Sequence, residues 1–395
     1  MCAKRCSHYC RVWKLKGNSF LQHRISTEAA RRVDYQHVPG PDQDVALHRA
    51  EEGGKLRTPE RILVIRLSSL GDVVLASVVI GAIKRRLPQA LLSILVKSEY
   101  AGLYSCDPRI THVIPLHPGH PHLLQLVRSL RKKNFDTIVD IHSNLRSLLI
   151  RNLVSADRKV HYHKRHLIRW AMVHLKWLNF QPRHTVDLYL DAVRGLGIRD
   201  SPRKPKLYVD ATTRHRVRDL LIESGLSGDD ILVGVSPGAR WKAKRWRAEG
   251  FASVCDSLLQ RRETKVLILG DKDDVPFVRE ILSWMRRRPI DMTARLDIQE
   301  LMAAISFCRL FLSNDSGPMH IATALGVPVV SIFGPTHPKL GFSPLGEKDI
   351  VISRNLSCSP CSLHGEGDCR LKRRICMEQI TPEMVLEALE RLLPH

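Results

Sequence analysis

The chain has 395 residues and a formal net charge of +22, with 62 Lys and Arg against 40 Asp and Glu. This length predicts two domains, and the 44% hydrophobic content is ordinary for a globular protein. No apolar run approaches the roughly 20 residues of a membrane span and no secretory signal opens the chain, so we expect a cytoplasmic protein with anionic partners.

The first part of the chain differs from the rest. Residues 1–57 are polar, punctuated by Gly and Pro, and lack helical or strand periodicity, which predicts a disordered extension or a start codon placed too early. Order is predicted to begin at Arg61, where ILVIRL is typical of a strand buried on both faces. A helix is predicted next, over 73–87, and LLSILV, THVIPL and FDTIVDIH are further strand candidates that alternate with helical stretches.

A second series of strands follows the Pro- and Arg-rich stretch near residues 198–206, with DILVGVSPG, KVLILGD, FLSND and VPVVSIFGP. The closing segment TPEMVLEALERLL predicts a helix with Thr381 as N-cap and Pro382 at its first position. Strands that alternate with helices predict parallel sheets, so we expect an α/β protein with two doubly wound, Rossmann-like domains. The predicted segments are 58–200 for the first domain, 201–380 for the second, and 381–395 for the C-terminal helix.

Neither a dinucleotide-binding GxGxxG nor a P-loop occurs in the chain. Asp271-Lys272-Asp273 imitates a metal-binding DxD triplet, but so short a motif favours a surface turn.

The loop SSLGD follows the first predicted strand and precedes its helix. Asp72, its last residue, is either the cap of that helix or a general base at the carboxyl edge of the sheet. A base at this place would take the proton of an attacking acceptor hydroxyl. A helix N-terminus stabilises a carboxylate and thereby weakens it as a base, so proton transfer would have to come late.

The stretch SNDSGPMH follows another strand and precedes the helix MHIATALG. Pro318 suits the first helical turn, and Asp315 or Ser316 suits the cap. Uncapped N–H groups behind Gly317 would cradle a diphosphate, with His320 as a further donor or as an ordinary structural histidine.

The stretch PGARWKAKRW, residues 237–246, also lies at the end of a strand. Basic residues interleaved with Trp suit nucleic-acid stacking, but the place at a strand's carboxyl end favours contact with a nucleotide phosphate. For Arg240 and Lys242 a solvated basic face is the alternative.

Cations are dense in RKVHYHKRHLIR, residues 158–169, and Arg146 follows a predicted strand. This run is either a solvated helix face or a surface for an anionic acceptor and an anionic membrane leaflet. In the second case Arg146, Lys164 and Arg165 are candidate acceptor contacts.

The late cysteines Cys358, Cys361, Cys369 and Cys376 have the spacing C-x2-C-x7-C-x6-C. The first pair suits zinc, whereas the later spacing is not that of a standard knuckle. A structural zinc and a pair of loop-closing disulfides both stay open.

SSLGD, PGARWKAKRW, NDSGPMHIATALGVPVVSIFGPT and the CSPC…C…CM tail occur in this order over residues 60–392. In these four motifs the chain resembles glycosyltransferase family 9, and within it the ADP-heptose:lipopolysaccharide heptosyltransferases. The resemblance implies a GT-B fold, in which the two Rossmann-like domains face a central cleft. It also implies an inverting transfer that needs no metal cofactor for catalysis.

The resemblance also implies partners and site residues. The donor would be a nucleotide-diphosphate sugar, ADP-heptose, and the acceptor a lipid-linked lipopolysaccharide inner core. By motif match Asp72 takes the place of the catalytic aspartate, and Ser316 stands where threonine is commoner. The residues that match the family's donor-binding positions are Lys244, Leu296, Asp315, Ser316, Gly317, Pro318 and His320.

Two alternative functions fit the same sequence. One is transfer of a different sugar to a different acceptor on the same fold. The other is a basic nucleic-acid-binding protein on a degenerate transferase fold. We expect no nucleic-acid partner, and we expect a protein that lies peripherally on the anionic inner-membrane surface.

Overall fold

A computed structural model describes residues 60–118, 123–175, 182–199, 201–369 and 371–393, so the predicted extension 1–57 lies outside the described part. The strands of the first half are β1 (Arg61–Ile65), β2 (Leu91–Lys97), β3 (His112–Leu116), β4 (Thr137–Asp140) and β5 (Arg158–His161). Its α-helices are α1 (Leu70–Leu75), α2 (Ser77–Arg86), α3 (Leu123–Arg131), α4 (Leu145–Leu153), α5 (His166–His174) and α6 (Thr185–Val193). The strands form one parallel sheet in the order β3-β2-β1-β4-β5.

The second half repeats this architecture. Its strands are β6 (Ile231–Ser236), β7 (Thr264–Ile268), β8 (Ile290–Asp291), β9 (Leu310–Asn314), β10 (Val329–Ile332) and β11 (Ile350–Ile352). Its α-helices are α7 (Ala211–Glu223), α8 (Ala248–Leu258), α9 (Val275–Trp284), α10 (Ile298–Ser306), α11 (Gly317–Ala324), α12 (Ile375–Glu378) and α13 (Pro382–Glu390). The parallel sheet has the order β11-β10-β9-β6-β7-β8. The predicted pair of doubly wound sheets is confirmed.

In each sheet the strand order reverses once, between β1 and β4 in the first and between β6 and β9 in the second. Ligands of doubly wound proteins bind beyond the carboxyl ends of the strands at this switch point. SSLGD follows β1, PGARWKAKRW follows β6, and SNDSGPMH follows β9. Three of the four motifs of the sequence therefore lie at the two switch points.

The helix predicted after SSLGD is divided into α1 and α2 at Ala76. The buried hydroxyl of Tyr104 donates to the carbonyl oxygen of Val73 at 2.5 Å. In an unbroken helix that carbonyl would accept from Ser77, four residues on. The tyrosine therefore competes with the helical hydrogen bond at the break.

The two sheets share one hydrophobic core, which includes Ile80 and Tyr104 of the first half and Met302 and Ile321 of the second. A second cluster packs α3 and α4 against the first sheet, and a third packs α8 and α13 against the second. Thr381 caps α13 as predicted, because its side chain accepts from the backbone N–H of Met384. The domain boundary at 200/201 stays a prediction.

None of the helices in the described ranges has the length and apolarity to cross a bilayer.

Candidate active site

The loop after β1 is organised by hydrogen bonds within SSLGD. Ser69 is the N-cap of α1, and its extended backbone begins the helix. Asp72 occupies the third helical position and reaches back, so that the hydroxyl of Ser69 donates to its Oδ2 at 2.8 Å. The backbone N–H of Ser69 points to the same oxygen at 3.4 Å, as in a capping box. The interpretation of Asp72 as the N-cap itself is therefore wrong, because it supports the cap from inside the helix.

Three side chains hold the Asp72 carboxylate. Arg66 lies 2.8 Å from Oδ2, Ser69 donates to the same oxygen, and the hydroxyl of Tyr189 donates to Oδ1 at 2.8 Å. Burial alone raises the pKa of Asp72, but the charge of Arg66 and the hydrogen bonds from Ser69 and Tyr189 outweigh it, and the net pKa lies below its usual range. The group is thus a fixed, fully ionised carboxylate at neutral pH.

Arg66 is itself buried, and it lies in the first sheet's switch point. Its second terminal nitrogen donates to the carbonyl of Ile141, just beyond β4, at 2.7 Å. The guanidinium also lies over the ring of Tyr189, 5.3 Å from the centroid. Arg66 therefore ties the loop after β1 to the loop after β4 and to α6.

Neutral and cationic groups of the first half surround this carboxylate. His142 is buried and its Nδ1 has no hydrogen-bond partner within the described part of the chain. Burial, with the charges of Arg66 and Lys164, lowers the pKa of His142 to about 3. Lys164 is an exposed residue, yet partial burial of its ammonium group and the charge of Arg66 lower its pKa. The imidazole is neutral, and the positive charges lie on Arg66 and Lys164.

The start of α11 approaches the Asp72 loop closely. A Cβ added at Gly71 would lie 2.7 Å from Cδ2 of His320, and one added at Gly317 would lie 2.4 Å from Cδ2 of Leu70. Contacts this short are almost never tolerated, so both positions require glycine. The fold thus brings the predicted base and the predicted donor loop together.

His320 is buried inside this contact, with 3% of its surface exposed. Burial is the main cause that lowers its pKa to about 4, so the imidazole is neutral at pH 7. Its Nδ1 has no partner among the described residues.

The first turn of α11 has no side-chain cap. Ser316 is the N-cap residue, as the sequence suggested, but its side chain makes no capping hydrogen bond. Its hydroxyl lies 3.0 Å from that of Ser313 instead. Pro318 occupies the second helical position. The first N–H groups of the helix are therefore left to the solvent or to a ligand.

Asp315 forms an ion pair instead of a cap. Its Oδ2 lies 2.7 Å from Nζ of Lys244 and accepts from the hydroxyl of Thr336 at 2.6 Å. The amide of neighbouring Asn314 donates to the carbonyl of Pro237 at 2.6 Å and accepts from the N–H of Trp246 at 3.2 Å. These bonds join the loops after β6 and β9, so that Lys244 lies beside the start of α11.

Other predicted donor positions are placed less distinctly. Leu296 is partly buried and packs against the shared core just before α10. In the DKD triplet, Asp271 accepts from the N–H of Asp273 at 2.8 Å, as expected of a surface turn.

The acceptor candidates lie at the carboxyl edge of the first sheet. The run 158–169 is not one solvated helix: it forms β5, an irregular segment over 162–165 and the start of α5. Arg146 is exposed in the first turn of α4, and Arg165 is the N-cap residue of α5. Arg165 and Lys339 line a shallow cleft, open to solvent, between α5, α6 and residues 338–340.

The cysteine cluster lies near Lys244, since Arg374 in the same segment donates to the carbonyl of Lys242 at 2.9 Å. Burial, with the neighbouring thiols of Cys361, Cys358 and Cys369, raises the pKa of Cys376 to about 11. In the ranges that the structure describes, no three His, Cys, Asp or Glu side chains are grouped closely enough to hold a metal ion. The zinc and disulfide alternatives both stay predictions.

Four residues at this site had no role assigned from the sequence: Arg66, His142, Tyr189 and Thr336. A signal existed for Arg66, because a charged residue within the apolar run ILVIRL is hard to leave buried without a partner. Thr336 ends the motif NDSGPMHIATALGVPVVSIFGPT, but nothing in the sequence indicated its bond to Asp315. His142 and Tyr189 gave no signal, because they reach the site from elements distant in sequence from SSLGD.

The family model described as Glycosyltransferase family 9 (heptosyltransferase) matches residues 123–367, more than half of the chain. The lipopolysaccharide core heptosyltransferase OpsX of Haemophilus influenzae is 26% identical over 300 residues, 75% of this chain and 84% of that protein. Lipopolysaccharide heptosyltransferase 2 of Salmonella typhimurium is 27% identical over 353 residues, which cover 84% of this chain and 98% of that protein.

Solved structures share the fold. A family 9 glycosyl transferase from Veillonella parvula superposes with a TM-score of 0.72 at 24% identity, covering 85% of this chain and 98% of that one. The ADP-heptose lipopolysaccharide heptosyltransferase II of E. coli gives a TM-score of 0.67 at 23% identity, covering 84% and 98%. At these identities the superpositions show the two-domain GT-B architecture.

Proposed function

The chain belongs to glycosyltransferase family 9, and on that premise we propose that it transfers a heptose from ADP-heptose to the inner core of a lipopolysaccharide, with inversion at the anomeric carbon. The observation that carries the proposal is the close contact between the Asp72 loop and the start of α11. A sugar bound there by its diphosphate would have an ionised carboxylate on the opposite side of the cleft.

The donor's diphosphate would bind at the start of α11. The uncapped N–H groups behind Ser316 and the positive end of the helix favour an anion there. Lys244 adds a cation at the same place, held by Asp315. Leu296 is proposed to pack against the adenine, as its match to the family position implies.

Asp72 is proposed to act as the base. The acceptor oxygen would bond to the anomeric carbon as the bond to the ADP phosphate oxygen breaks on the opposite face, and the hydroxyl proton would pass to Asp72. A carboxylate with a lowered pKa is a weak base toward a free hydroxyl. The proton would therefore move late, when the oxygen has already become acidic through bonding.

The acceptor is proposed to lie against the first half. Lys164 is near enough to Arg66 and Asp72 for their charges to influence one another, and Arg165 continues the positive surface into the cleft beside α5. With Arg146 they suit the anionic sugars and phosphates of a lipid-linked inner core. An anionic inner-membrane surface would attract the same cations.

We propose that catalysis needs no metal ion, because Lys244 and the start of α11 supply the positive potential that a divalent cation would otherwise provide. Activity is expected to persist in excess EDTA. A complete loss that Mg²⁺ restores would contradict this and direct attention to Asp271 and Asp273.

The four late cysteines are proposed to stabilise the loop beside Lys244, either through zinc or through two disulfides. Elemental analysis of the purified protein, together with thiol counts before and after reduction, distinguishes the two. About one zinc per chain supports a metal site, and four titratable thiols that appear only on reduction support the disulfides. Because the chain has ten cysteines, ten thiols that react in the unfolded protein without reduction, together with no bound metal, would reject both.

The function is tested by incubating the full chain with a purified lipopolysaccharide core acceptor and a panel of nucleotide sugars. We expect a product heavier by one heptose with ADP-heptose, and stabilisation of the folded protein by that donor. Transfer from another donor would indicate the same-fold rival. Salt-sensitive binding to nucleic acid without any transfer would favour a nucleic-acid-binding protein.

A further inference from the structure

Exposed apolar side chains are concentrated in one part of the first half. Ten large hydrophobic side chains are exposed in the described residues, and five of these belong to α4 and α5. They are Leu145, Leu148, Leu149, Leu167 and Trp170, with Leu145 and Leu167 exposed by 73% and 81%. Single exposed leucines are common on protein surfaces, but this concentration is not.

On α4 the exposed leucines form one face. The helix turns Ser147 and Ile150 into the core beneath it and leaves Leu145, Leu148 and Leu149 toward the solvent. The helix has nine residues, and three of its five exposed residues are leucines. Surface helices of globular proteins usually expose polar residues there.

The α5 helix repeats the pattern. It buries Ala171 and Val173, and exposes Leu167 and Trp170. The Trp170 ring packs against His174, with the centroids 4.8 Å apart. The two helices follow the neighbouring strands β4 and β5, so both begin at the carboxyl edge of the first sheet, as does the Asp72 loop.

The positive charge of this part of the chain favours an anionic partner for the exposed leucines. Residues 145–174, from the start of α4 to the end of α5, contain seven Lys and Arg and one acidic residue, Asp157. Arg151 and Arg158 are ion-paired with Asp140 and Glu60, and the other five cations form no ion pair with an acidic side chain of the described residues. Neither α4 nor α5 has an acidic side chain. A protein partner for such a face would need its own apolar and acidic surface, whereas an anionic bilayer offers acyl chains beneath a negative headgroup layer.

We infer that the outer faces of α4 and α5, which we term the leucine face, dock on an anionic phospholipid bilayer, with the leucines and Trp170 inserted at the headgroup level. The role that we assign to this docking rests on the proposed function, because docking at this edge would present a lipid-linked acceptor to Asp72. The binding itself can be measured without any transfer.

The test uses the full chain and vesicles of phosphatidylethanolamine with phosphatidylglycerol, compared with phosphatidylcholine vesicles, at about 0.15 M salt. The changed pairs are Leu145→Ser with Leu149→Ser on α4, and Leu167→Ser with Trp170→Ser on α5. The matched control is Ile222→Ser with Trp284→Ser, because these two side chains are exposed by 49% and 57% on the second half.

We expect each leucine-face pair to weaken partition onto the anionic vesicles at least tenfold, and the control pair to change it less than twofold. Wild-type protein should bind phosphatidylcholine at least tenfold more weakly than the anionic vesicles. All variants should bind ADP-heptose and use a soluble acceptor fragment as the wild type does. That readout separates a failure of docking from a failure of the proposed function.

Three results would overturn the inference. The first is undiminished vesicle binding by both leucine-face pairs. The second is equal binding of neutral and anionic vesicles. The third is a wild-type dimer in solution that the leucine-face substitutions convert to monomer, because a second copy of the chain would then cover this face.

Discussion

The two switch-point loops that meet in the cleft use opposite kinds of chemistry. After β1 the functional group is one side chain, Asp72, whose oxygens already accept from Arg66, Ser69 and Tyr189. After β9 the feature that suits a ligand is the backbone at the start of α11, which no side chain caps. The first loop is therefore sensitive to single substitutions. In the second loop, we expect much of the donor binding to remain when one side chain is removed.

The largest effect is expected at the first loop. Asp72→Asn should reduce transfer by about 10²–10⁴-fold, since that is the usual contribution of a general base. Binding of ADP-heptose should stay within a few-fold of wild type, because the diphosphate site lies on the other half. Initial rates and calorimetric donor binding measure the two effects.

The control for this variant is a measurement of its folding stability. Arg66 is buried and would lose its charged partner, and such losses commonly cost about 3–5 kcal/mol of stability. Thermal unfolding therefore accompanies the kinetics, with Tyr189→Phe as a milder variant that keeps the ion pair. An Asp72→Asn enzyme that folds and transfers at a wild-type rate would remove Asp72 as the base.

A smaller effect is expected across the cleft. Lys244→Ala and Asp315→Ala should each weaken ADP-heptose binding by about ten- to a hundredfold, the equivalent of the roughly 1.5–3 kcal/mol of a charge-assisted contact. The Lys244→Ala change removes the cation, whereas the Asp315→Ala change removes the carboxylate that holds this cation in place. Lys242→Ala is the matched control, because Lys242 is exposed two residues away. Unchanged affinity in both variants would place the donor elsewhere.

The fold was largely readable from the sequence because buried parallel strands are continuous apolar runs. β1, β2, β6 and β9 all fit that pattern and were predicted. β5 was missed because its sequence, RKVH, is an exposed, charged edge strand. β3, the other edge strand of that sheet, was predicted because it has the apolar residues Val113, Ile114 and Leu116, whereas β5 has only Val160.

The sequence predicted only those parts of the site that are contiguous in the chain. SSLGD and SNDSGPMH are contiguous, and their place after strands predicted where they lie. Tyr189 and Thr336 act through partners 117 and 21 residues away, and single-sequence patterns contain no such contact. The sequence also suggested Asp72 as the N-cap, whereas the structure gives that place to Ser69 and pairs the carboxylate with Arg66.

The two loops are alike in one respect, because each has a buried histidine, His142 beside Asp72 and His320 at the start of α11. Burial lowers both pKa values, to about 3 and about 4, well below that of an exposed imidazole. The unfolded chain therefore binds more protons than the native state as the pH falls from about 6.5 toward these values, and stability is lost over that window. Over the whole window the loss of stability per histidine is on the order of 3–5 kcal/mol, of which about 2 kcal/mol falls between pH 7 and pH 5.

Urea unfolding between pH 7 and pH 5 measures this loss. His142→Gln and His320→Gln should each make the pH dependence shallower, because a group that does not titrate replaces an imidazole that is buried neutral. The double variant should flatten it further. A wild-type slope in both single variants would mean that other groups cause the acid sensitivity.

The smallest effect is expected from the hydroxyl of Ser316, and it tests the comparison most directly. Its oxygen lies 3.0 Å from that of Ser313 and makes no bond to the N–H groups of α11. Ser316→Ala should therefore leave the affinity for ADP-heptose within about threefold of wild type, and Ser316→Thr should do the same. Ser69→Ala is the counterpart on the other loop, where it removes a 2.8 Å donor to Asp72. Because that donor helps to lower the pKa of Asp72, its loss should shift the acid limb of the transfer rate to higher pH. A tenfold loss of donor affinity in Ser316→Ala would show that the hydroxyl itself reaches the donor, and that the second loop depends on its side chains as the first does.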